Sequence, residues 1–597
     1  GDSGDGMQLT GTQFTDTSAL SGNDLSTLPD FPAEIRAPAG TIPGVSSFQV
    51  QIADFDILTP GDEADVLVVM NPAALKANLV DLRTGGMIIA NEEAFEERNL
   101  AKAGYETNPL EDGTLTGYRV FQVPMDRLTK EAVKDTGVTG RNILRSKNFF
   151  ALGLISWVFN RPLEPSIAWT ERQFAKRPDV AAANVASLRA GHTFGFATEA
   201  FHHVYNVKPA KLEPGEYTNV TGNTALSWGL IAASQAAKLP LFYGTYPITP
   251  ASDILHELAK HKNFGVRTFQ AEDEIAGAGA AVGAAFAGHL AVTGTSGPGL
   301  ALKSETISLA ISLELPLVVV DVQRAGPSTG LPTKVEQSDL LFSLYGRHGE
   351  APLPVLAARS ASDAFEVAVE ASRIALKYMT PVILLSDNYI ANGSEPWRLP
   401  DLEALPDISV PFVTEPNANG RYVPYLRDPT TLARQWAIPG TPGLEHRVGG
   451  LEKHELVGNV SYDADNHQLM TDLREWKIRN IANDIPELEV YGDEEAELLV
   501  IGWGSTFGAI RAAAKRVRAD GLEVATAHLR YLNPFPANLG DLLNQYRYVL
   551  VPEINTGQLR KMIRAEYLVP AMGFNKVKGL PFRVSEIENK IREIVAS

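Results

Sequence analysis

The stretch LPLVVVDVQRAGPSTGLPTKVEQSD, residues 315–339, joins an unbroken apolar run to a loop rich in glycine and proline. The run, residues 315–322, is typical of a strand that is buried on both faces of a parallel sheet. Arg324 follows at the predicted carboxyl end of that strand, where parallel α/β sheets bind their ligands. Folding alone does not call for a cation beside Gly326 and Gly330. We therefore expect Arg324 to hold an anion against closely approaching backbone.

The same pattern of apolar strands and intervening helices extends through residues 206–400. The helical segments are rich in alanine or amphipathic, as in SDAFEVAVEASRIALKYM. This alternation predicts a doubly wound parallel sheet. The other predicted strands are LFYGTY (241–246), VRTFQ (266–270), LAVTGT (290–295), PVLAA (354–358) and PVILLSD (381–387).

Two further α/β units flank this region. Residues 1–205 contain the apolar runs VLVVM (66–70) and GMIIA (86–90) with helical spacing between them, which predicts a βαβ unit. Residues 490–597 alternate again and predict a smaller α/β domain. Residues 401–489 are rich in proline, asparagine and charge, and we interpret them as a linker or insertion with little regular structure before LMTDLREWKIRNIAND (469–484).

Composition excludes several classes of function. The net charge of −18 disfavours binding to nucleic acid or to an anionic membrane, and no apolar run reaches the roughly 18 residues that span a bilayer. Without cysteine the chain can form neither disulfides nor cysteine-held iron–sulfur clusters, so any such cluster must lie on another polypeptide. The chain shows no secretory leader, so we expect a cytoplasmic protein. It starts at Gly1 inside a motif, so we expect residues to precede it.

Three stretches of the sequence resemble known ligand-binding motifs but do not match them. GTSGPGLALKS (294–304) has the glycines of a nucleotide-binding P-loop, but Leu300 stands where that loop needs lysine. HELAKH (256–261) has one residue too many between its histidines for a zinc site on one helix face. Gly4-Asp5-Gly6 could start the motif that binds magnesium and the diphosphate of thiamine, but that motif needs an asparagine about 25–30 residues on, and residues 24–70 contain none. We predict no metal ligand in this chain.

Two segments each allow two interpretations. YPITPASD (246–253) either holds Thr249 at the end of a strand with its hydroxyl free, or is only a rigid turn in which Ser252 caps the next helix. QAEDEIAGAGAAVG (270–283) puts Glu274 ahead of a helix of glycine and alanine. In one interpretation, Glu272 and Asp273 cap a helix that packs tightly at a subunit interface. In the other, Glu274 points into a shared cleft.

The order and spacing of four blocks resemble a known family. YPITPASD, EDEIAGAGAAVGAAFAG, TSGPGL and DVQRAGPSTGLPTKVEQSDL span residues 246–340 and closely resemble the α subunit of the 2-oxoacid:ferredoxin oxidoreductases. Residues 1–205 resemble the γ domain of that family, fused ahead of α. ELLVIGWGS, LRYLNPFP and VPEINTGQL resemble its transketolase-like C-terminal domain. The γ–α fusion and GRHGEAP (346–352) are most similar to the 2-oxoglutarate branch.

The resemblance implies an α/β protein of several doubly wound parallel-sheet domains. These would be a Rossmann-like γ domain associated with coenzyme A (1–205), a thiamine pyrimidine-binding domain (206–400), a linker or insertion (401–489) and a transketolase C-terminal-like domain (490–597).

The resemblance also implies partners. Thiamine diphosphate would be shared with a separate β subunit that supplies Mg²⁺, the diphosphate motif and at least one four-iron, four-sulfur cluster. Ferredoxin would accept the electrons, the assembly would be an (αβ)₂ heterotetramer, and neither nucleic acid nor a membrane would be a partner. The missing diphosphate motif and the missing cysteine in this chain agree with that division.

Family roles transfer to matching positions. Glu274 matches the carboxylate that hydrogen-bonds the pyrimidine ring nitrogen of thiamine. Arg324 matches the arginine that binds the substrate's 1-carboxylate, which a guanidinium suits through two parallel charged hydrogen bonds. Thr249 would bind the same carboxylate or the keto oxygen. The cofactor-binding residues implied around them are Tyr246, Pro247 and Ile248.

Two further binding predictions follow from the resemblance. Arg347 and His348 are candidates for the distal carboxylate of a dicarboxylate substrate through their place in the sequence, and a reading as ordinary loop residues is equally open. The loop expected beside the phosphates of coenzyme A consists of Ser3, Gly4, Asp5 and Gly6. It departs from the family's usual Gly-Gly-Gln-Gly by carrying an acid, which does not favour phosphate.

The implied reaction is the reversible conversion of 2-oxoglutarate, coenzyme A and oxidised ferredoxin into succinyl-CoA, CO₂ and reduced ferredoxin. Run in reverse it would fix CO₂ in a reductive tricarboxylic acid cycle. The alternatives are pyruvate or a branched-chain 2-oxoacid as substrate, a non-catalytic chain that binds a β subunit, and a self-sufficient transketolase-like enzyme. The joint presence of Thr249, Glu274 and Arg324 disfavours the non-catalytic chain, and the missing diphosphate motif disfavours the transketolase-like enzyme.

Overall fold

The computed structural model of the chain describes residues 1–32, 37–198, 204–493 and 495–596. They form two compact units. Unit 1 comprises Gly1–Asn219 and Ser394–Arg398, and unit 2 comprises Val220–Gly393 and Leu399–Ser597. Among the described helices, none combines the length and the apolar character that crossing a bilayer requires.

Unit 1 is built around a small parallel sheet. Its elements are α1 Met7–Leu20, β1 Asp24–Asp30, β2 Ser47–Ala53, β3 Ala64–Val69, α2 Pro72–Asn78, β4 Leu82–Asn91, α3 Glu97–Ala103, β5 Arg119–Val123, α4 Met125–Val133, α5 Lys147–Val158, α6 Glu164–Gln173, α7 Pro178–Ala197 and β13 Ser394–Arg398. Strand β6 Tyr217–Thr221 begins in unit 1 and ends two residues beyond its boundary at Asn219. Strands β3, β4 and β5 pair in parallel in that order. The predicted βαβ unit is confirmed, since both predicted strands form and α2 lies between them in the chain.

Unit 2 contains two larger sheets. Its elements before residue 393 are α8 Gly222–Ala237, β7 Leu241–Thr245, α9 Ser252–Leu258, β8 Arg267–Gln270, α10 Glu274–Phe286, β9 Leu290–Thr295, α11 Gly297–Leu302, α12 Ser304–Leu313, β10 Leu317–Gln323, α13 Leu340–Tyr345, β11 Val355–Ala357, α14 Asp363–Tyr378, β12 Pro381–Asp387 and α15 Asn388–Asn392. Those after residue 463 are α16 Ala464–Asn480, β14 Val490–Gly492, β15 Leu498–Trp503, α17 Phe507–Ala519, β16 Ala525–Leu529, β17 Tyr531–Asn533, α18 Leu539–Leu543, β18 Tyr548–Glu553, α19 Gln558–Tyr567, β19 Met572–Asn575 and α20 Val584–Val595.

The first sheet of unit 2 has the order β17-β11-β12-β10-β9-β7-β8, and every neighbouring pair except β17 with β11 is parallel. This confirms the predicted doubly wound parallel sheet. Strand β10 is central and buried at every residue, which explains its unbroken apolar run. The carboxyl ends of β7, β9 and β10 meet at one edge, where the predicted site residues begin.

The second sheet has the order β14-β16-β15-β18-β19, with β14 antiparallel to its neighbour. Strand β17 leaves this part of the chain and pairs with β11 of the first sheet, where Leu356 faces Tyr531 and Val355 faces Asn533. A continuous apolar core runs beneath both sheets. The predicted pyrimidine-binding and C-terminal domains are thus joined by a shared strand.

Residues 399–463 have little regular structure, as predicted, but they are firmly packed on unit 2. Tyr425 and Trp436 are almost completely buried. The fully buried carboxylate of Glu314, at the end of α12, accepts hydrogen bonds of 2.6 and 2.5 Å from Arg427 and also binds Lys477. Residues 399–463 therefore form an ordered segment that a buried ion pair between Arg427 and Glu314 holds against unit 2.

Candidate active site

Arg324 lies directly after β10, at the carboxyl edge of the first sheet, with 6% of its surface exposed. Its Nη1 donates a 2.8 Å hydrogen bond to the backbone carbonyl of Thr249, in the loop after β7. Its Nε is buried and has no hydrogen-bond partner within the described chain. Burial lowers the pKa of Arg324. A buried cation with an unused donor at this edge is suited to an anionic ligand.

The loop after β7 presents Tyr246 and Thr249 in different ways. Tyr246 is buried, and its hydroxyl lies 3.0 Å from Thr295 Oγ1. This contact requires glycine at residue 299, because a Cβ there would lie 2.0 Å from the hydroxyl oxygen of Tyr246. Thr249 is exposed, and its hydroxyl makes no hydrogen bond in the part of the chain that the structure describes. Pro247 is exposed and Ile248 half-buried.

The turn is rigid, but Ser252 does not cap α9. Ala251 occupies the cap position, and no side chain accepts a hydrogen bond from the start of the helix. Ser252 is already the first helical residue, and its hydroxyl turns back to accept a 2.9 Å hydrogen bond from the backbone of Ile248. The prediction of a Ser252 cap is therefore wrong. The rigid turn and the free hydroxyl of Thr249 occur together.

Glu274 is the first residue of α10 and is half-buried. Asp273 caps the helix by accepting a 2.8 Å hydrogen bond from Ala276, as predicted for this acid. Burial, and to a smaller extent the carboxylate of Glu274, raise the pKa of Tyr246 well above its usual range. The positive charge of Arg324 acts on the same hydroxyl in the opposite direction. The structure thus brings Glu274, Tyr246 and Arg324 into one cluster.

One face of α10 is open. Ile275 is 55% exposed, and a Cβ at Gly279 or Gly283 would meet nothing within 4 Å. The opposite face packs so closely that a Cβ at Gly277 would lie 3.2 Å from the backbone of Thr245 in β7. The open face therefore begins at the residue that follows Glu274.

Two fully buried charged residues, Lys303 and Asp321, and the half-buried Asp339 lie behind this cluster, and the sequence did not single them out. Lys303 is fully buried, and its Nζ lies 5.1 Å from the centre of the Tyr246 ring. Asp321 is fully buried in β10. The available signals were a lone aspartate inside VVVDV and a lysine directly after the apolar segment GPGLAL. Neither indicates its partners, because those come from other elements.

Arg347 and His348 lie after α13. The Arg347 guanidinium donates hydrogen bonds of 2.7–3.2 Å to the backbone carbonyls of Ser343, Leu344 and Ala351. These hydrogen bonds terminate α13 and occupy the Arg347 guanidinium with backbone carbonyls, which favours the interpretation of Arg347 as an ordinary loop residue. His348 is exposed. A role for either residue in binding a distal carboxylate stays a prediction.

The N-terminal loop of unit 1 precedes the 14-residue helix α1. Gly6 has a positive φ of 73°, and a Cβ there would lie 2.6 Å from the side chain of Asn148. Gly4 faces open space. The Asp5 carboxylate accepts a 2.9 Å hydrogen bond from the backbone of Asp2, so it turns back into its own loop. Binding of coenzyme A by Ser3, Gly4, Asp5 and Gly6 stays a prediction.

Three family models match the chain. They are described as pyruvate ferredoxin/flavodoxin oxidoreductase (residues 1–194), pyruvate flavodoxin/ferredoxin oxidoreductase, thiamine diphosphate-binding (residues 233–465), and pyruvate:ferredoxin oxidoreductase core domain II (residues 496–586).

Two relatives and one solved structure identify the family more closely. The 2-oxoglutarate oxidoreductase subunit KorA of Mycobacterium tuberculosis is 59% identical over 100% of this chain and 91% of its own length. The 2-oxoacid:ferredoxin oxidoreductase 1 subunit alpha of Aeropyrum pernix is 31% identical over 75% of this chain and 71% of its own. A solved 2-oxoglutarate:ferredoxin oxidoreductase from Magnetococcus marinus, with 2-oxoglutarate, coenzyme A and succinyl-CoA bound, is 32% identical, with a TM-score of 0.86 over 100% of this chain and 98% of that one.

The parallel sheet, the thiamine diphosphate-binding match and the cluster at the sheet edge define an oxidoreductase subunit of the thiamine-dependent class. The chain belongs to the 2-oxoglutarate:ferredoxin oxidoreductase family.

Proposed function

We propose that the chain is the α subunit, with a fused γ domain, of an enzyme that reversibly converts 2-oxoglutarate, coenzyme A and oxidised ferredoxin into succinyl-CoA, CO₂ and reduced ferredoxin. The observation that carries the proposal is the Arg324 guanidinium, buried at the carboxyl edge of a parallel sheet with its Nε unpartnered in the described chain. A 2-oxoacid carboxylate meets this requirement, since it can accept two parallel hydrogen bonds from a guanidinium. The names of the M. tuberculosis and M. marinus relatives support 2-oxoglutarate as the 2-oxoacid.

The site residues fit thiamine. Glu274 offers a carboxylate acceptor at the start of α10, suited to the pyrimidine N1′. Tyr246, Pro247 and Ile248 would line the ring beside it, and the Tyr246 hydroxyl stays protonated because burial and the nearby carboxylate raise its pKa. When bound, thiamine diphosphate supplies the carbon nucleophile for the 2-oxo group and accepts the electrons that decarboxylation releases.

On the substrate side, Arg324 would fix the 1-carboxylate, since its Nη1 is anchored to the Thr249 carbonyl and its Nε is free to bind an oxygen. The Thr249 hydroxyl, exposed beside it, would donate to the same carboxylate or to the keto oxygen. Holding both oxygen groups fixes the 2-oxo carbon relative to the cofactor, which is the main contribution that such positioning makes to rate.

We propose that a β subunit covers the open face of α10, where Ile275, Gly279 and Gly283 lie beside Glu274. It would supply Mg²⁺, the diphosphate site and an iron–sulfur cluster, and two such pairs would form an (αβ)₂ assembly with ferredoxin as electron acceptor. The absence of cysteine from this chain requires the cluster to be on a partner. The proposed setting is the cytoplasm, and the reverse reaction would fix CO₂ in a reductive tricarboxylic acid cycle.

We propose that Ser3, Gly4, Asp5 and Gly6 contact the phosphates of coenzyme A at the start of α1. Space above Gly4 and the helix N-terminus behind it support this assignment. The test is Gly4→Leu, which fills that space. We expect the KM for coenzyme A to rise about tenfold or more while decarboxylation without coenzyme A is unchanged. An unchanged KM would remove this loop from the coenzyme A site.

We propose that His348 binds the distal carboxylate of the substrate, next to Arg347, whose guanidinium is bonded to backbone carbonyls. His348→Ala separates substrate recognition from folding, because the residue is exposed. We expect the KM for 2-oxoglutarate to rise and that for 2-oxobutyrate, which lacks the second carboxylate, to stay constant. Equal effects on both substrates would contradict the assignment.

The decisive experiment is anaerobic reduction of ferredoxin by the chain co-expressed with its β subunit. 2-Oxoglutarate, pyruvate and 2-oxoisovalerate are each offered with and without coenzyme A. We expect reduction that depends on coenzyme A and is fastest with 2-oxoglutarate. Arg324→Ala and Glu274→Gln should abolish it, whereas Arg447→Ala, at an exposed arginine on another segment, should have no effect.

Each failure points to a different part of the proposal. A faster reaction with pyruvate or 2-oxoisovalerate would retain the mechanism and replace the substrate. No reduction by a complex that holds thiamine and intact clusters would favour a non-catalytic binding chain. Activity of the isolated chain with thiamine and magnesium would instead indicate a self-sufficient transketolase-like enzyme.

A further inference from the structure

The residues Lys303, Asp321 and Asp339, here called the buried charge network, lie behind the proposed site and have no part in the mechanism above. Three charged groups in one apolar region are costly unless they neutralise one another. Their arrangement therefore indicates how charge is balanced beneath Arg324, Tyr246 and Glu274.

Lys303 connects the network to the cofactor side. Its Nζ donates hydrogen bonds of 2.8 Å to Thr293 Oγ1 and 2.9 Å to the carbonyl of Gly294, both in β9, and lies against the ring of Tyr246. Burial lowers the pKa of Lys303 to about 7, and the negative charges of Glu274 and Asp321 oppose that shift. The ammonium is thus held by β9, and the carboxylates of Glu274 and Asp321 act on it through their charge rather than by direct hydrogen bonds.

Asp321 and Asp339 connect the network to the substrate side. The backbone N–H of Asp339 donates a 3.1 Å hydrogen bond to Gln323 Oε1, two residues beyond Asp321 on β10. Both oxygens of Asp321 and the Oδ2 of Asp339 are buried without a hydrogen-bond partner among the described residues. A Cβ at Gly297, the first residue of α11, would lie 2.7 Å from both Asp339 oxygens. Burial raises the pKa of Asp339 to about 6, and that of Asp321 well above its usual range. Each carboxylate opposes ionisation of the other, so the state in which both carry a charge is disfavoured.

We propose that Asp321 and Asp339 share one proton, that the Lys303 ammonium balances the remaining negative charge, and that these three side chains are positioning residues for Arg324 and Tyr246. With both aspartates ionised, Asp339 would attract the Arg324 guanidinium and compete with the substrate carboxylate. With both aspartates protonated, the Lys303 ammonium beside Tyr246 would have Glu274 as its counter-charge, without help from the network. The shared proton avoids both states. The charge state stands independently of the proposed function, whereas the positioning role rests on it.

The surrounding charges are accounted for. Glu274 and Tyr246 face the network from α10 and the loop after β7, while Arg324 and Glu336 face Asp339 from the loop after β10. Asp387, the charged residue of the neighbouring strand β12, is engaged elsewhere, because it accepts a 3.0 Å hydrogen bond from the backbone of Ile390 at the start of α15.

The shared proton is tested by infrared spectroscopy on the complex with the β subunit, near neutral pH. The difference spectrum between wild type and Asp321→Asn should contain the carbonyl stretch of a buried protonated carboxyl group. Asp339→Asn should remove the same band, because the single aspartate left in each variant faces a cation and ionises. Should one variant not fold, the other gives the same comparison. Absence of the band from wild type, or its persistence in both variants, would overturn the inference.

The positioning role is tested with a matched pair of buried lysines. Lys303→Met removes the ammonium, so the aspartates should take up a second proton, the infrared band should grow, and kcat/KM for 2-oxoglutarate should fall by up to about 100-fold. Lys453 is equally buried, with Nζ hydrogen bonds to Ser312 and two backbone carbonyls and a tyrosine ring 5.9 Å away. Lys453→Met should lose stability but change neither the band nor kcat/KM.

The pH profile gives a further readout. As pH rises and the shared proton is lost, kcat/KM for 2-oxoglutarate should fall on the alkaline side, and Asp339→Asn should flatten that limb.

If Lys303→Met behaved like Lys453→Met, the positioning role would be overturned. A complex with the infrared band but no reductase activity would support proton sharing and contradict the proposed function. An active complex without the band would contradict this inference alone.

Discussion

At the scale of single residues, Arg324 was predictable because its signal is local. A cation at the end of an apolar strand, followed by glycine and proline, indicates an anion site whatever the rest of the chain does. Thr249 and Glu274 carry similar local signals, and the structure brings Glu274 and Arg324 together around Tyr246. Lys303 and Asp321 were not predictable, since the partners of a buried charge come from elements far away in sequence.

The geometry of Arg324 leads to a test of how the carboxylate is bound. Arg324→Lys keeps the charge but loses the planar fork that can bind two oxygens at once. We expect kcat/KM for 2-oxoglutarate to fall about 100-fold, equivalent to about 2.7 kcal/mol of lost binding in the transition state. Steady-state kinetics with Arg447→Lys as the control measure this. Wild-type rates in Arg324→Lys would mean that a point charge is sufficient.

A second residue, Asp387, makes stability depend on pH. It is fully buried, and burial raises its pKa to about 6. The pKa in the folded state is higher than in the unfolded state, so the stability that this group contributes is present at low pH and lost as pH rises toward about 6. Relative to wild type, Asp387→Asn should gain up to about 3 kcal/mol between about pH 4 and pH 7.5, because the amide still accepts from Ile390. Parallel denaturation curves for the two proteins would contradict this.

At the scale of elements, α10 shows what a pattern of small residues can and cannot predict. Its helical character and the Asp273 cap followed from the sequence, but which glycines pack inward did not. Gly277 is buried against β7, whereas Gly279 and Gly283 are exposed. Composition does not separate the two kinds, because the difference lies in the direction each residue faces once the sheet has formed.

This difference predicts opposite effects in the isolated chain and in the complex. Gly279→Ala adds a better helix former at an exposed site and should stabilise the isolated chain by up to about 1 kcal/mol. The same methyl group should weaken assembly with the β subunit if that subunit packs against the open face of α10. Thermal melting and the dissociation constant of the complex measure the two effects. Gly277→Ala, which is buried, should destabilise both, and unimpaired assembly of Gly279→Ala would exclude this face as the interface.

At the scale of the whole chain, the alternating α/β regions were predictable and their connections were not. Periodicity identifies the strands β7 to β12 of the first sheet of unit 2. It does not reveal that residues 399–463 are held down by Glu314, or that the three-residue strand β17 joins β11. Short strands and isolated ion pairs leave too little local pattern. The domain boundaries predicted at residues 205, 400 and 489 stay predictions.

The buried carboxylate of Glu314 provides the test at this scale. Glu314→Gln leaves Arg427 and Lys477 buried without a counter-charge, which should cost about 3–5 kcal/mol. We expect residues 399–463 to become the first site of limited proteolysis. Binding to both cations holds the pKa of Glu314 below its usual range, so this contribution should be present at neutral pH and decline as pH falls below about 4. Resistance to protease equal to wild type would contradict the anchoring role.

The strand shared between the two sheets of unit 2 has a consequence for biosynthesis. While the ribosome is still at work, β11 has no neighbour on its outer side, since Tyr531 follows Leu356 by roughly 170 residues. At a translation rate of about 5–20 residues per second, the nascent chain would carry this bare edge for about 10–35 s. An unpaired edge is a template for pairing with another chain. A chaperone that shields nascent chains should therefore raise the yield of this protein.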